Sequence, residues 1–146
     1  MDKNTELAQW FFMAGEDLKS AEYLATMHYP RPEGIICFHC QQSTEKYLKG
    51  FLFQKNVDFP KIHDLRILLK FCEAVDAQFS AILPKCNILN RYSVIPRYPD
   101  EQEITPADTN TAIQYAQEIR DFVMGKRTAD AEDGLPEEVR TAEGKA

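Results

Sequence analysis

Basic and polar side chains at helical spacing in the second quarter of the chain are the first candidates for chemistry. His39, Gln42, Lys46 and Lys49 follow one another at three- and four-residue steps, which places them on one side of an α-helix. Lysines arranged in this way could hold an anion such as a phosphate. The alternative is a solvated helix face on which Glu45 and Lys49 form an ordinary ion pair, and spacing alone favours that alternative.

A loop rich in arginine and tyrosine is the second candidate. It contains Arg91, Tyr92, Arg97 and Tyr98, and loops are where binding residues concentrate. Arginine presents a planar fork that suits phosphate, and tyrosine can stack on a base. The alternative is a structural loop in which Tyr98 covers the end of a helical bundle and Arg97 pairs with an acidic residue.

Metal and hydrolytic chemistry find little support in the sequence. A zinc site could be suspected at Cys37, His39 and Cys40, but these are only three ligands and zinc takes four. Their helical spacing also points the three side chains in different directions around the helix axis. No histidine follows a glutamate by three residues, as a di-metal carboxylate bundle requires. Neither a nucleophile elbow nor a glycine-rich phosphate loop is present. We therefore predict no metal, no cofactor and no catalytic residue.

The composition is that of one acidic globular domain. The chain has 146 residues, a net charge of −6 and 44% hydrophobic residues. The negative charge argues against broad, sequence-independent binding of nucleic acid. No apolar run approaches the roughly 20 residues of a membrane span, and we expect no signal peptide. We therefore expect the four cysteines to be reduced thiols in the core. We also expect a cytoplasmic protein without a membrane partner.

Helical periodicity and stop signals predict the elements that position these residues. We expect helices over residues 4–27, 34–56 and 78–92, the last interrupted by Pro84. Another helix should begin after His63, with Asp64 as its cap.

The last predicted helix has the clearest start signal. Thr105 should cap it, with Pro106 in the first helical position, and Gly125 should end it. The sequence therefore predicts an all-α fold, an antiparallel up-down helical bundle of four to five helices over residues 1–125. Residues 126–146 should form a disordered acidic tail.

Apolar residues outside the core faces predict a contact surface. On the second helix, a core arc holds the residues Ile36, Cys37, Cys40, Thr44, Tyr47, Leu48, Phe51 and Leu52. Ile35, Phe38 and Phe53 lie instead among the polar residues of the opposite arc. Phe12 and Met13 fall off the core face of the first helix in the same way. Because a monomer would expose all five apolar side chains, we predict a homodimer.

Four segments in order resemble a known family, the HEPN domains (higher eukaryotes and prokaryotes nucleotide-binding). Residues 10–21, WFFMAGEDLKSA, resemble the family's opening helix, and residues 38–52, FHCQQSTEKYLKGFL, resemble its second helix. Residues 63–65, HDL, are similar to the start of its third helix, and residues 97–99, RYP, to its late loop. The resemblance covers about residues 7–123.

The resemblance implies a helical bundle that often forms a homodimer and that pairs in many members with a small nucleotidyltransferase, commonly as a toxin–antitoxin system. Some members are metal-independent ribonucleases whose motif is an arginine, four to six residues and a histidine. Here seven residues separate Arg31 from His39, and no histidine follows Arg66, Arg91 or Arg97. The usual general acid or base for RNA cleavage is therefore missing at the family's spacing.

Three hypotheses follow for the function. The first is a non-catalytic HEPN module that binds a nucleotide or RNA, or docks a nucleotidyltransferase. Its ligand-binding residues would be His39, Gln42, Lys46, Lys49, His63, Asp64, Arg91, Tyr92, Arg97 and Tyr98. The second is a divergent HEPN ribonuclease toxin, which would need a histidine or another acid or base in the cleft. The third is a pure assembly protein.

Overall fold

Five α-helices and two short 3₁₀ segments make up the part of the chain that the structure describes. The computed structural model describes residues 1–94 and 103–133, with side chains up to residue 127. The α-helices are α1 (Lys3–Leu24), α2 (Glu33–Gln54), α3 (Leu65–Val75), α4 (Leu83–Leu89) and α5 (Pro106–Asp133). The 3₁₀ segments Ala77–Ile82 and Asn90–Tyr92 precede and follow α4. The all-α antiparallel bundle predicted from the sequence is confirmed.

Side-chain caps fix the helix starts where the sequence predicted them. Asp64 accepts a hydrogen bond from the backbone of Arg66 at 2.9 Å, so it caps α3. At α5 the capping is reciprocal: Thr105 Oγ1 accepts from the Asp108 backbone at 3.1 Å, and Asp108 Oδ2 accepts from the Thr105 backbone at 3.0 Å. The interruption expected at Pro84 is also present, because the 3₁₀ turn gives way to α4 there.

Three helix ends differ from the prediction. Helix α1 ends at Leu24 rather than residue 27, and α2 ends at Gln54 rather than residue 56. Gly125 does not end α5, which continues to Asp133 and so crosses the tail boundary expected at residue 126. A glycine inside a helix costs only about 1 kcal/mol relative to alanine, which the packing of a long helix can offset. The rest of the predicted tail, residues 134–146, lies outside the described residues.

Helix α2 lies at the centre of the bundle and contacts α1, α3, α4 and α5. All eight residues of its predicted core arc are buried. Phe51 packs on Phe79 with ring centroids 4.4 Å apart, and Phe79 meets Phe122 of α5 at 5.0 Å. Because its core arc is enclosed by other helices, α2 can present only its opposite face, the predicted polar arc, towards the surface.

Candidate functional site

Asp17 of α1 links two of the predicted site residues on α2. Its Oδ1 lies 3.1 Å from His39 Nδ1, and its Oδ2 forms an ion pair with Lys46 Nζ. All three side chains are partly buried where α1 packs on α2. We call Asp17, His39 and Lys46 the seam triad. The charge of Lys46 is balanced within it, so this lysine is not a free anion-binding group.

Glu45 of α2 links two more of the predicted residues. Its Oε2 accepts from Lys49 Nζ at 3.0 Å, and its Oε1 lies 2.8 Å from His63 Nδ1. Glu45 and Lys49 are only 4% and 7% exposed, whereas the His63 side chain is 69% exposed. We call Glu45, Lys49 and His63 the groove triad. The ion pair expected between Glu45 and Lys49 is present, but it is buried, so a solvated face is the wrong description.

A chain of amides fixes the loop that carries His63. Gln42 Nε2 donates to Gln41 Oε1 at 2.7 Å, and Gln41 Nε2 donates to the His63 carbonyl at 2.9 Å. Gln41 has no exposed surface, so its hydrogen bond to the loop is shielded from water. The predicted binding residue Gln42 thus acts here by orienting its neighbour.

Asp64, another predicted site residue, is engaged in structural contacts. It caps α3, pairs with Arg66 at 3.3 Å and accepts from Asn90 Nδ2 at 3.1 Å. The hydrogen bond from the Arg66 side chain holds the pKa of Asp64 below its usual value. These contacts account for Asp64 without a ligand.

The structure describes only part of the loop that is rich in arginine and tyrosine. Arg91 is exposed, but Tyr92 is buried in the core, and that burial raises its pKa to about 12. A buried ring cannot stack on a base, so Tyr92 favours the structural interpretation of the loop. Arg97 and Tyr98 lie outside the described residues.

A groove beside the groove triad was not predicted. It has a volume of about 740 Å³ and lies between the start of α1, the end of α2 and the loop that follows. Its lining includes the aromatic residues Trp10, Phe53 and Phe59, the lysines Lys3, Lys49 and Lys61, and the carboxylates Glu6 and Asp58. We call it the basic groove. It is the size of small-molecule binding sites in other proteins.

The walls of the basic groove are set by the turn after α2. Asn56 has a φ of 60°, the left-handed conformation that asparagine tolerates better than most residues, and it turns the chain out of the helix. Phe59 then meets Trp10 edge-on, with ring centroids 6.1 Å apart. Lys3 reaches across from α1 to the Asn56 side chain and the Gln54 carbonyl. Aromatic surface and ammonium groups therefore share one concave site.

The four cysteines are buried and free. The Cys37 Sγ lies 3.6 Å from Thr109 Oγ1, and burial raises the pKa of this thiol to about 11. Burial likewise raises the pKa values of Cys40, Cys72 and Cys86. Within residues 1–94 and 103–127, no three potential metal ligands come together.

Comparison with known proteins agrees with the helical architecture. The HEPN domain family matches residues 7–127, and this chain belongs to that family. A relative from Methanocaldococcus jannaschii, named "Putative toxin MJ1304", is 27% identical over 144 residues, covering 84% of this chain and 92% of the relative.

Two solved structures share the fold. The crystal structure of ST0689, an archaeal HEPN homologue, has a TM-score of 0.63 and 25% identity, covering 82% of this chain and 96% of its own. The crystal structure of TT1696 from Thermus thermophilus has a TM-score of 0.67 and 24% identity, covering 82% and 97%. None of the helices in the described part of the chain is long and apolar enough to cross a membrane.

Proposed function

We propose that this chain is a non-catalytic HEPN module that binds a nucleotide in the basic groove. The observation that carries the proposal is the meeting of Trp10, Phe53 and Phe59 with three lysines in one concave site. Aromatic side chains stack on bases, and each stacked base contributes about 1–3 kcal/mol. The ammonium group of exposed Lys61 supplies charge that a phosphate needs, and Lys49, which is paired with Glu45 at 3.0 Å, lines the same site. The four buried free thiols support a cytoplasmic setting.

The single tryptophan of the chain provides a direct test. Because Trp10 lines the basic groove, a base that stacks there should quench its fluorescence. Lys61 is exposed, so its replacement should not disturb the fold. We expect Lys61→Ala to weaken binding of adenosine monophosphate about tenfold, the usual cost of one charge-assisted hydrogen bond.

Lys19→Ala is the matched control, since Lys19 is exposed on α1 and does not line the groove. It should bind as the wild type does. If no nucleotide at millimolar concentration changes the Trp10 signal or gives heat in calorimetry, nucleotide binding is wrong and a pure assembly role is favoured.

The outer face of α2 is proposed as the docking face for a second copy or for a small nucleotidyltransferase. Ile35 is 40% exposed there, and Phe12 and Met13 on α1 are 65% and 51% exposed, whereas the other two predicted residues, Phe38 and Phe53, are only partly exposed. Exposed apolar side chains of this size favour an interface. We expect light scattering to give twice the chain mass of 16.8 kDa, and Ile35→Ser combined with Phe12→Ser to restore the monomer. A wild-type monomer at micromolar concentration, with no partner present, would contradict the homodimer.

A divergent ribonuclease is the second candidate, and His63 favours it. Buried Glu45 holds His63 Nδ1 at 2.8 Å, and no hydrogen bond from the described residues engages the other ring nitrogen, which could transfer a proton. The Methanocaldococcus relative, named as a toxin, also supports this candidate. RNA cleavage in the presence of a chelator, abolished by His63→Ala but retained by His28→Ala, would establish the enzyme and displace the binding module.

A further inference from the structure

Glu45 is paired with one of the three lysines that line the basic groove. Its carboxylate is 4% exposed and lies behind Lys49, whose ammonium group it holds at 3.0 Å. Lys49 in turn lines the groove. An anion that uses Lys49 must therefore share it with a buried carboxylate that cannot turn away into water.

The formal charges around the groove cancel once Glu45 is included. Lys3, Lys49 and Lys61 line it, but so do Glu6 and Asp58. Adding Glu45 behind Lys49 matches three lysines with three carboxylates. A ligand phosphate with one or two negative charges can be held by Lys61 and a shared Lys49, whereas a triphosphate brings a larger charge against the same carboxylates.

We infer, building on the nucleotide site proposed above, that Glu45 restricts the basic groove to nucleotides with a single phosphate, either a monophosphate or one phosphodiester unit of a strand. His63 modulates this restriction. When its imidazole is protonated, Glu45 is shared between two cations and Lys49 becomes available to the ligand. Glu45 and His63 are thus specificity-determining residues that act through Lys49.

Other charged groups surround His63 and must be separated from its effect. Glu45 and Lys49 face it from α2, Lys61 belongs to the same loop, and the ion pair of Asp64 with Arg66 begins α3. Within the part of the chain that the structure describes, the hydrogen-bond partner of the imidazole is Glu45. A pH profile tests this contact, because histidine as a residue type gains a positive charge when it is protonated.

The test is a Trp10 fluorescence titration of the full chain with adenosine mono-, di- and triphosphate, in chelator and at constant ionic strength. At pH 7.5 the wild type should bind the monophosphate at least as tightly as the triphosphate. Glu45→Gln keeps the shape and a hydrogen-bond acceptor for Lys49 but removes the charge. It should raise affinity for the triphosphate about tenfold relative to the monophosphate.

The pH profile supplies a readout that a merely structural role would not move. Lowering the pH from 7.5 to 5.5 should raise the triphosphate-to-monophosphate affinity ratio in the wild type. In His63→Ala the ratio should change only with the titration of the nucleotides themselves. Asp17→Asn, which removes the carboxylate of the seam triad, is the matched control and should leave the ratio at its wild-type value.

The outcomes separate the two proposals. A wild type that binds triphosphate tenfold tighter than monophosphate overturns the charge limit and leaves nucleotide binding intact. A Glu45→Gln variant whose triphosphate-to-monophosphate affinity ratio equals that of the wild type also overturns the charge limit and leaves nucleotide binding intact. If the Glu45→Gln variant does not fold, the triphosphate-to-monophosphate affinity ratio of the wild type tests the charge limit by itself. Absence of quenching by all three nucleotides overturns both the groove and its charge limit.

Discussion

The seam triad and the groove triad contain the same three kinds of side chain, a carboxylate, a histidine and a lysine, yet they stand in different surroundings. In the seam triad the carboxylate belongs to α1 and both bases belong to α2, so the contacts tie two helices together. In the groove triad the carboxylate and lysine are four residues apart on α2, and the histidine comes from a loop. One triad closes a packing contact, and the other borders an open groove.

This difference shows that residue types alone do not assign a role. Asp17 is partly buried between helices, and its contacts join α1 to α2. Glu45 is more deeply buried, but its partner Lys49 reaches an open site and its partner His63 is mostly exposed. We therefore expect changes in the seam triad to affect the stability of the fold, and changes in the groove triad to affect ligand selection.

The largest expected loss of stability follows from a substitution in the seam triad. Asp17→Ala leaves Lys46 and His39 without their carboxylate in a partly buried site. We expect the free energy of unfolding to fall by about 2–3 kcal/mol, the cost of stranding a charged hydrogen-bond partner. Thermal denaturation should show a midpoint lower by about 6–12 °C. Nucleotide affinity should stay within about twofold of the wild type.

Asp121→Ala is the matched control for that prediction. Asp121 also pairs with a basic residue, Arg120, at 2.9 Å, but its side chain is 69% exposed. Such surface pairs contribute about 0–1 kcal/mol, so the midpoint should barely change. If Asp17→Ala instead changes nucleotide affinity and leaves the midpoint unchanged, the roles of the two triads are reversed.

An intermediate effect is expected at Gly50 of α2, which packs directly against Phe11 of α1. A Cβ added there would lie 2.9 Å from a ring carbon of buried Phe11. Gly50→Ala should therefore lower the free energy of unfolding by about 1–2 kcal/mol, despite the better helix propensity of alanine. Gly125→Ala is the control, because its added Cβ meets nothing within 4 Å. It should raise stability by about 0.5–1 kcal/mol. Chemical denaturation of both variants measures these changes, and destabilisation by both would contradict the close-approach argument.

The fold could be predicted because its signals are local. Apolar spacing located the core arc of α2, and capping residues such as Asp64 and Thr105 marked helix starts. The C-terminal boundary could not be predicted from Gly125, since a glycine's effect depends on the packing around the helix. Lys126 contacts Asp76, and Arg127 stacks over the Phe11 ring at 4.8 Å. These are tertiary contacts that no local signal reveals.

The candidate site was only half predictable. Helical spacing brought His39, Lys46 and Lys49 to one arc and predicted the ion pair of Glu45 with Lys49, but it could not show that Asp17 pairs with Lys46 and contacts His39. Asp17 lies on another helix, and its pairing depends on how α1 crosses α2. The basic groove combines α1, α2 and a loop, so its lining has no sequence spacing of its own. The available signals were the single tryptophan and the lysine and aromatic residues after Asn56.

The smallest expected effect on stability comes from a third carboxylate–lysine contact, between Asp76 and Lys126. Its contribution to the free energy of unfolding can be compared with that of the two triads. Lys126 Nζ lies 2.9 Å from Asp76 Oδ2, and its hydrogen bond holds the pKa of Asp76 below the usual value. A lowered folded-state pKa means that the pair stabilises the fold above the unfolded pKa of about 4, and that this stability is lost as the pH falls through the folded value. Lys126→Met keeps an apolar stem of similar length but removes the ammonium group, which also lies 5.3 Å from the centroid of the Phe122 ring. At pH 7 it should cost about 0.5 kcal/mol in urea denaturation, and the difference from wild type should shrink towards pH 3. A difference that stays constant with pH would mean that Lys126 acts through its contact with Phe122, and that the charge of this partly buried pair contributes nothing with which either triad can be compared.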